Sequence, residues 1–288
     1  MIWRELLDET KVKLSEIDES GFEAKQIVLE ACGASSSDWH EVESQPATVK
    51  GVAKVDKFVQ RRLGGEPLQY VLGSWGFRQL DLMVDSRVLI PRPETEEVVG
   101  WAIESLNKIE TTNNRTTKVL DLGTGSGAIG LSIASEVDRS EVWLTDSSQD
   151  CIDVARANLS GLGVKGSNVN IVFGDWFDAL SSVHKNSFNL IISNPPYIAP
   201  NETLDSSVLD WEPSDALISE PNGDEAINHI IDHASQWLTP DGVLVLEMAP
   251  WQVEPAVKKA QNKYRFVEFK TDLSNHPRCL IAQEPNLP

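Results

Sequence analysis

The feature that most constrains the fold is a regular alternation of short apolar strands with helical segments from residue 118 onward. Five apolar runs of strand length cover residues 119–122, 142–145, 169–173, 188–193 and 243–247. Parallel strands produce this alternation because each connection between them needs a long crossover, usually a helix. We therefore predict an α/β fold with a doubly wound, mostly parallel sheet. Ligands of such sheets bind beyond the carboxyl ends of the strands.

The first of these strands runs into a glycine-rich turn. Residues 121–127 read Asp-Leu-Gly-Thr-Gly-Ser-Gly, and a helical pattern follows from Ala128. Glycine permits positive φ and close approach of the backbone to a ligand, and a helix start offers free N–H groups. The second strand ends in Asp146, whose carboxylate is suited to accepting both hydroxyls of a ribose. The pattern predicts a site for a nucleoside-containing cofactor.

Two cofactors fit this segment. Gly125, Gly127 and Gly130 satisfy the G-x-G-x-x-G spacing, and Asp146 follows nineteen residues after Gly127, as in dinucleotide-binding proteins. Asp121 favours S-adenosylmethionine instead, because a carboxylate beside the turn repels a pyrophosphate but can pair with the ammonium group of a methionine moiety. A nicotinamide cofactor, and with it a dehydrogenase, stays open as the alternative.

The tetrapeptide Asn194-Pro195-Pro196-Tyr197 follows the fourth strand. Two consecutive prolines end the strand and fix the direction of the backbone. The Oδ1 atom of Asn194 and a nearby carbonyl then form a two-acceptor site for a planar –NH2 group. Such a site suits an enzyme that modifies an amino group on an amide or a base. The predicted catalytic residues are Asn194, Pro195, Pro196 and Tyr197.

Together these residues resemble the class I S-adenosylmethionine-dependent methyltransferases and, more narrowly, the HemK/PrmC family of release factor glutamine N5-methyltransferases. Further segments carry the resemblance across most of the chain: residues 61–67, Tyr70, Gly73, residues 89–96, 174–177, 212–213 and 216–217. The sequence Ile-Pro-Arg-Pro-Glu-Thr-Glu at residues 90–96, combined with Asn-Pro-Pro-Tyr, is the part most specific to glutamine methylation.

The resemblance implies methyl transfer from S-adenosyl-L-methionine to the side-chain N5 of the glutamine in the Gly-Gly-Gln motif of class I peptide chain release factors. It also implies a seven-stranded sheet that ends in an antiparallel hairpin. Residues 123–127 would lie under the methionine moiety, Asp146 would hold the ribose, and Asp175 and Trp176 would contact the adenine. The predicted cofactor-binding residues are Asp121, Gly123, Thr124, Gly125, Ser126, Gly127, Asp146, Asp175, Trp176 and Asn194. No metal site is predicted.

The sequence also suggests three segments. Residues 1–66 show apolar stripes with helical spacing and predict a small helical domain. Packing and docking of a protein substrate are both open as its role, and the family resemblance favours docking. Residues 67–92 predict a β-hairpin linker, with residues 70–73 as a strand, and residues 93–288 predict the catalytic domain. Polar residues 107–117 predict a loop.

Near the end of the chain, Asn275 occupies the position of a family glycine in Asp-x-x-Gly-x-x-Arg. Because asparagine tolerates positive φ, we expect the turn to survive.

Charge and composition bear on partners and location. The formal net charge is −19, which repels nucleic-acid phosphate, so we expect a protein substrate and no stable nucleic-acid binding. Three widely separated cysteines do not suggest a disulfide framework. The chain lacks an apolar stretch of about 18 residues and a secretory pattern, so we expect no membrane association and a cytoplasmic location.

Other activities stay open at this point. A glutamine of a ribosomal protein would use the same chemistry as a release factor. The exocyclic amino group of adenine or guanine in a nucleic acid would also fit the Asn-Pro-Pro-Tyr acceptors, with an aromatic ring stacked on a flipped base. A module that binds the cofactor and only docks a partner is the non-enzymatic alternative.

Overall fold

The computed structural model describes residues 1–113, 116–183, 185–202 and 206–286. The chain forms two compact units, one made of Met1–Ser74 with Ser206–Trp211 and the other of Trp75–Asp205 with Glu212–Pro288. The helices are α1 Trp3–Lys13, α2 Ser20–Cys32, α3 Trp39–Val42, α4 Val49–Leu63, α5 Leu68–Leu72, α6 Pro93–Asn113, α7 Ala128–Glu136, α8 Gln149–Gly161, α9 Ser206–Leu209, α10 Glu225–Ala234 and α11 Pro250–Ala260. Short 3-10 helices cover Gly163–Gly166, Trp176–Leu180 and Ser214–Ala216.

The strands form a hairpin and one large sheet. They are β1 Ser74–Phe77, β2 Leu80–Met83, β3 Thr117–Leu122, β4 Ser140–Asp146, β5 Val169–Phe173, β6 Phe188–Ser193, β7 Leu238–Glu247, β8 Tyr264–Thr271 and β9 Pro277–Pro285. β1 pairs with β2, and the seven-stranded sheet has the order β5-β4-β3-β6-β7-β9-β8. The five strands from β5 to β7 are parallel, and β9 runs antiparallel to both β7 and β8. The predicted α/β fold with a mostly parallel seven-stranded sheet is confirmed.

Both faces of the sheet are covered, which explains the uninterrupted apolar runs of its parallel strands. Neighbouring residues of a strand point to opposite faces. Leu190 and Ile192 of β6 join one core cluster with residues of α6 and α7, while Ile191 joins the second cluster with residues of α10 and α11. The side chains therefore bury the strand from two directions and hold its carboxyl end at a fixed place.

The helices of the smaller unit are held together by apolar packing and by an ion pair between an arginine and a glutamate. Trp3 packs against α4 at Gly51, where an added Cβ atom would lie 2.3 Å from the indole ring. Arg62 pairs with Glu23 of α2 at 2.7 Å. The buried interface between these helices explains the apolar residues with helical spacing in the sequence of this unit.

Residues 70–73, predicted as a strand, lie in or directly after helix α5. The physical reason is a side chain that comes from α4. The Arg61 guanidinium donates hydrogen bonds to the carbonyls of Tyr70 and Val71, each at 2.9 Å, and pairs with Glu66. These bonds satisfy the carbonyls at the end of a short helix, which a local pattern of apolar residues does not reveal.

The predicted loop at residues 107–117 was also wrong in part. Helix α6 continues to Asn113, and Thr117 already belongs to β3. Ile109 packs against the large core, so this last part of the helix is held by packing despite its polar composition. Asn114 and Arg115 lie outside the described residues.

The turn between β8 and β9 keeps its geometry with asparagine in place of glycine. Asn275 has φ of +62°, in the left-handed region. The Asp272 carboxylate accepts the backbone N–H groups of Ser274 and His276, each at 2.9 Å, and pairs with Arg278 at 3.2 Å. The expectation that the turn survives is confirmed.

Candidate active site

Three predicted site residues lie at the same edge of the sheet. β3 has β4 on one side and β6 on the other, and all three strands are parallel. Gly123 follows β3, Asp146 ends β4, and Asn194 follows β6. β3 and β6 are the neighbours at which the strand order changes direction, and such switch points open a crevice for ligands. Asp175 stands two residues beyond the end of the adjacent β5.

The glycine-rich turn is built from backbone groups. Gly123, Gly125 and Gly127 have φ of +69°, +55° and +86°, values that favour glycine. The amides of Gly123 and Thr124 both donate to the carbonyl of Thr145 at 2.9 Å, which ties the turn to β4. Gly123 is exposed, and the Trp176 ring lies 3.8 Å from where its Cβ atom would be. A ligand on this turn would therefore meet backbone below and an indole at one side.

Asp146 is held in place by the same turn. Its Oδ2 accepts the amide of Gly125 and its Oδ1 accepts the amide of Ser148, each at 2.9 Å. Burial raises the pKa of this carboxyl group, and the backbone donors oppose the rise because they favour the ionised form. Each carboxylate oxygen keeps a second lone pair for a ligand hydroxyl.

Asp121 lies beneath the turn and is 0% exposed. Its Oδ2 accepts the Thr124 hydroxyl at 2.5 Å and the Gly130 amide at 3.0 Å. Among the described residues, Oδ1 has no hydrogen-bond partner. Burial raises the pKa of Asp121 to about 7. The carboxyl group supports the turn from inside, and its pairing with an ammonium group stays a prediction.

Asn158 is a supporting residue that the sequence did not reveal. This α8 side chain donates from Nδ2 to the carbonyl of Ser126 at 2.9 Å, and its Oδ1 accepts the amide of Met83 in β2 at 2.7 Å. One buried amide therefore connects the glycine-rich turn to the β-hairpin. It is distant from both in sequence and has no local motif, so only the fold brings these groups together.

Trp176 has φ of +40° and begins a 3-10 helix after Asp175. The helix borders a cavity of about 220 Å³ that includes Asp175, Trp176, Phe177 and His229 in its lining. Asp175 is exposed and Trp176 is half-buried. The structure thus places an acceptor and an indole together beside the end of β5, and their contact with adenine stays a prediction.

The Asn-Pro-Pro-Tyr segment is fixed at several points. Ser193 donates from its hydroxyl to the carbonyl of Leu122 at 2.6 Å, which joins the ends of β6 and β3. Gln252 donates from Nε2 to the carbonyl of Tyr197 at 3.0 Å and to that of Gly223 at 2.8 Å. Burial raises the pKa of the Tyr197 hydroxyl to about 12, so it stays protonated at neutral pH.

Asn194 donates to a buried side chain that the sequence left without a role, and a buried carboxyl group ends the neighbouring strand β7. Its Nδ2 donates to the Thr95 hydroxyl at 3.3 Å. Thr95 is 4% exposed and Glu247 is 1% exposed. Burial raises the pKa of Glu247 to about 7, and Thr95 opposes that rise. Within the described residues, Glu247 Oε2 has no partner and Asn194 Oδ1 accepts no hydrogen bond.

Arg92 and Glu212 form the ion pair that holds the segment before Thr95. Arg92 Nη2 lies 2.5 Å from Glu212 Oε1, and the Ile90 amide donates to Glu212 Oε2 at 3.1 Å. Glu212 is buried. Because breaking a buried pair leaves an uncompensated charge, this contact is expected to fix the entry to α6 firmly.

Among the described residues, no group of three or more His, Cys, Asp and Glu side chains is placed to hold a metal ion. In the same part of the chain, every helix is too short or too polar to cross a membrane.

Known proteins resemble the chain over most of its length. Residues 5–73 match the family described as the PrmC N-terminal domain, and residues 105–210 match the methyltransferase small domain. A release factor glutamine methyltransferase of Salmonella typhimurium is 39% identical over 228 residues, which are 78% of this chain and 78% of the relative. One of Haemophilus influenzae is 34% identical and covers 94% of each chain. This chain belongs to the release factor glutamine methyltransferase family.

Solved structures agree on the fold. A methyltransferase from Pyrococcus furiosus has a TM-score of 0.50 and 18% identity, covering 78% of this chain and 96% of that one. The hMettl16 catalytic domain in complex with MAT2A 3′UTR hairpin 6 has a TM-score of 0.54 and 12% identity, covering 83% and 84%. At these identities the likeness concerns the arrangement of helices and strands alone.

As a member of this family the chain is a methyltransferase that uses S-adenosylmethionine. The residues at the sheet edge fit that cofactor. The orphaned Oδ1 of buried Asp121, the spare lone pairs of Asp146 and the open surface of Gly123 beside Trp176 are the kinds of group that the methionine ammonium, the ribose and the adenine need.

Proposed function

We propose that this enzyme methylates the side-chain N5 of the glutamine in the Gly-Gly-Gln motif of class I peptide chain release factors. The observation that carries the proposal is the Asn194 amide, which directs Nδ2 to Thr95 and leaves Oδ1 available at the carboxyl edge of the sheet. The names of the relatives, at 34–39% identity, support the same substrate. The reaction would take place in the cytoplasm, where translation termination occurs.

The chemistry requires help because an amide nitrogen is a poor nucleophile. Its lone pair is delocalised into the carbonyl group, and the nitrogen becomes positively charged as it attacks. S-adenosylmethionine supplies the methyl group on a sulfonium centre. Asn194 Oδ1 and the carbonyl of Pro195 would accept the two N–H groups of the glutamine and stabilise the positive charge that develops on its nitrogen.

The same acceptors would also orient the glutamine. Two fixed acceptors hold a planar –NH2 group in one plane, which aims its nitrogen at the methyl carbon and lowers the entropic cost of reaction. A strong general base is unnecessary, because an N-protonated amide is very acidic and loses its proton readily. Tyr197 would pack beside the transfer site as a neutral phenol.

We also propose that residues 1–66 dock the protein substrate, with residues 67–92 as the linker and residues 93–288 as the catalytic domain. The match of residues 5–73 to the PrmC N-terminal domain supports a family-specific role for this part. The net charge of −19 favours a basic or neutral protein surface as partner over nucleic acid.

The proposal is tested by incubating purified enzyme and labelled S-adenosylmethionine with unmethylated release factor. The matched control is a release factor in which the glutamine of Gly-Gly-Gln is replaced by alanine. We expect label on the first protein and background on the second. Label on both would place the methyl group on another residue and contradict the assignment of the glutamine.

Absence of label on both proteins, with cofactor binding intact, would overturn the release factor as substrate. Ribosomal proteins and then structured RNA and duplex DNA would be offered to the same enzyme preparation. Transfer to a nucleic acid at physiological salt would identify a base amino group as the acceptor in place of the amide.

A further inference from the structure

We propose that Gln252 is a positioning residue for methyl transfer, because its side chain holds the end of the Asn-Pro-Pro-Tyr segment in one place. The inference rests on the proposed function, since the catalytic role of that segment is itself a proposal. Gln252 lies in the first turn of α11 and is 7% exposed. The sequence alone gave this part of the chain no role at the site.

Three hydrogen bonds fix the side-chain amide of Gln252. Its Nε2 donates to the carbonyl of Tyr197 at 3.0 Å and to that of Gly223 at 2.8 Å, so both of its hydrogens are used. Its Oε1 accepts the backbone N–H of Ala249 at 3.0 Å, at the start of α11. The reversed orientation would set an oxygen against two carbonyl oxygens and an –NH2 group against an N–H, so only the observed orientation fits.

The Asn-Pro-Pro-Tyr segment needs such a contact because of its prolines. Pro195 and Pro196 have no backbone N–H and cannot donate to a neighbouring strand. Their rings fix φ, so the direction of the Pro195 carbonyl depends on the ψ angles of the segment. The bond from Gln252 to the carbonyl of Tyr197 restricts those angles from one end. Ser193 fixes the other end through its bond to the carbonyl at the end of β3.

The loop that contains Gly223 lies against the same carbonyl. A Cβ atom added to Gly223 would lie 2.5 Å from the Tyr197 oxygen and 3.0 Å from the Ala199 nitrogen. Ile198 forms a parallel bridge with Ile218, which precedes Gly223 in this loop. Gln252 therefore joins two chain segments, the loop and the end of the tetrapeptide, to the first turn of α11.

A fixed backbone matters for the two acceptors proposed for the substrate. Asn194 Oδ1 and the Pro195 carbonyl act together only if their spacing matches the two N–H groups of one amide. A displacement of about 1 Å at a reacting group can lower a rate about a hundredfold. The turn at residues 123–127 and Asp146 are held by other hydrogen bonds. Loss of the Gln252 contact should therefore lower turnover more than cofactor affinity.

Two variants remove the Nε2 donor in different ways. Gln252→Glu keeps an oxygen for Ala249 but adds a charge, whereas Gln252→Met is neutral and of similar length. We expect turnover to fall about tenfold in both, with the Kd for S-adenosylmethionine changed less than about twofold. Wild-type turnover in either variant, or loss of cofactor binding in both, would overturn the positioning role.

Gln261→Glu is the matched control for the added charge. Gln261 is exposed and follows the last residue of α11, the helix that carries Gln252. This variant should keep turnover within about twofold of wild type. A tenfold loss here would show that a charge anywhere on α11 lowers turnover, and would contradict a specific role for the Gln252 donor.

A double variant separates positioning from a general loss of stability. If Gln252 acts through the Asn-Pro-Pro-Tyr segment, Gln252→Met should slow an Asn194→Ala enzyme by less than about threefold, because one of the two positioned acceptors is already gone. A full tenfold loss on that background would show that Gln252 acts by another route.

A test without substrate keeps the inference distinct from the proposed function. The chain has three tyrosines, so carbonyl-¹³C tyrosine labelling gives three signals, and the Tyr197 signal is the one lost in Tyr197→Phe. In Gln252→Met it should move upfield, because a hydrogen bond deshields a carbonyl carbon. The ¹⁵N side-chain amide signal of Asn194, assigned by its loss in Asn194→Ala, should also move.

The two possible failures then give different results. Tyr197 and Asn194 signals that stay in place in Gln252→Met would overturn the positioning role even if the enzyme methylates release factor. Signals that move as expected, without transfer to release factor by the wild-type enzyme, would reject only the proposed substrate.

Discussion

The two sides of the active site are built by different means. On the cofactor side, the turn at residues 123–127 relies on glycine conformations and on backbone amides that bond to Thr145 and Asp146. On the substrate side, the Asn194 side chain donates to the Thr95 hydroxyl. The turn on the first side is one contiguous stretch of sequence, whereas the contact on the second side joins residues 99 positions apart. The cofactor side should therefore respond to changes of backbone conformation, and the substrate side to loss of single polar atoms.

The largest effect is expected for Asn194→Ala. Loss of the Oδ1 acceptor should lower turnover by about a hundredfold or more, because the acceptor stabilises charge that develops only during transfer. The Kd for S-adenosylmethionine, measured by calorimetry, should change less than about threefold. A large loss of cofactor affinity with turnover spared would move Asn194 to the cofactor side and break the comparison.

Gly127→Ala tests the backbone side. Gly127 has φ of +86°, and an added Cβ atom would lie 2.8 Å from Leu131 Cδ1. We expect a loss of about 2 kcal/mol in the free energy of unfolding, together with weaker cofactor binding. Transfer at saturating cofactor should be nearly normal.

Gly161→Ala is the control for Gly127→Ala. A Cβ atom added at Gly161 would meet nothing within 4 Å, so alanine there should change the free energy of unfolding by less than about 0.5 kcal/mol. Urea unfolding of both variants makes the comparison. Similar losses at the two positions would show that the turn has no special need for glycine.

Asp146→Asn probes the charged side chain that we expect to hold the ribose of the cofactor. Asparagine keeps one oxygen but replaces the other with a donor, so it loses either the Ser148 or the Gly125 contact. We expect the cofactor Kd to rise about tenfold with the transfer rate at saturation unchanged. Asp150→Asn, an exposed change of the same charge, should leave both constants at their wild-type values.

The last comparison concerns pH and the two buried carboxyl groups. Burial raises the pKa of Asp121 and of Glu247 to about 7, above their ordinary values of 3.8 and 4.5. The folded state therefore binds these protons more tightly than the unfolded state. Their contribution to stability is present at low pH and is lost as pH rises from about 4 through 7.

Two single variants show how much each carboxyl group contributes to the pH dependence of the unfolding free energy. Asp121→Asn and Glu247→Gln should each reduce the fall of the unfolding free energy between pH 5 and pH 7, by at most about 1.4 kcal/mol per pH unit. An unchanged pH dependence of the unfolding free energy in both variants would show that neither carboxyl group binds its proton more tightly in the folded state.

Features built from residues that are close together in the chain could be predicted from the sequence. Strand ends, the glycine-rich turn and the Asn-Pro-Pro-Tyr segment are local patterns, and the alternation of strands and helices predicted the sheet that brings them together. The residue roles at this edge stay predictions. The same local reasoning failed for residues 70–73, because Arg61 supplies the capping contacts from nine and ten positions away.

The supporting residues could not be predicted for a similar reason. Thr95 lies 99 positions from Asn194, and Asn158 lies 32 positions from the carbonyl that it holds. A threonine in an acidic helix start and an asparagine in an amphipathic helix are ordinary in composition. Their partners are defined only when the crossover connections place α6, α8 and β7 around the sheet edge.

The central claim is that Asn194 acts in methyl transfer and Asp146 in holding the cofactor. One rapid-quench titration tests it most directly: enzyme equilibrated with increasing S-adenosylmethionine is mixed with saturating release factor, giving cofactor affinity and transfer rate together. We predict that Asn194→Ala lowers the maximal rate about a hundredfold at unchanged half-saturation, and that Asp146→Asn shifts half-saturation about tenfold at unchanged maximal rate. Both constants moving together in both variants would contradict the account.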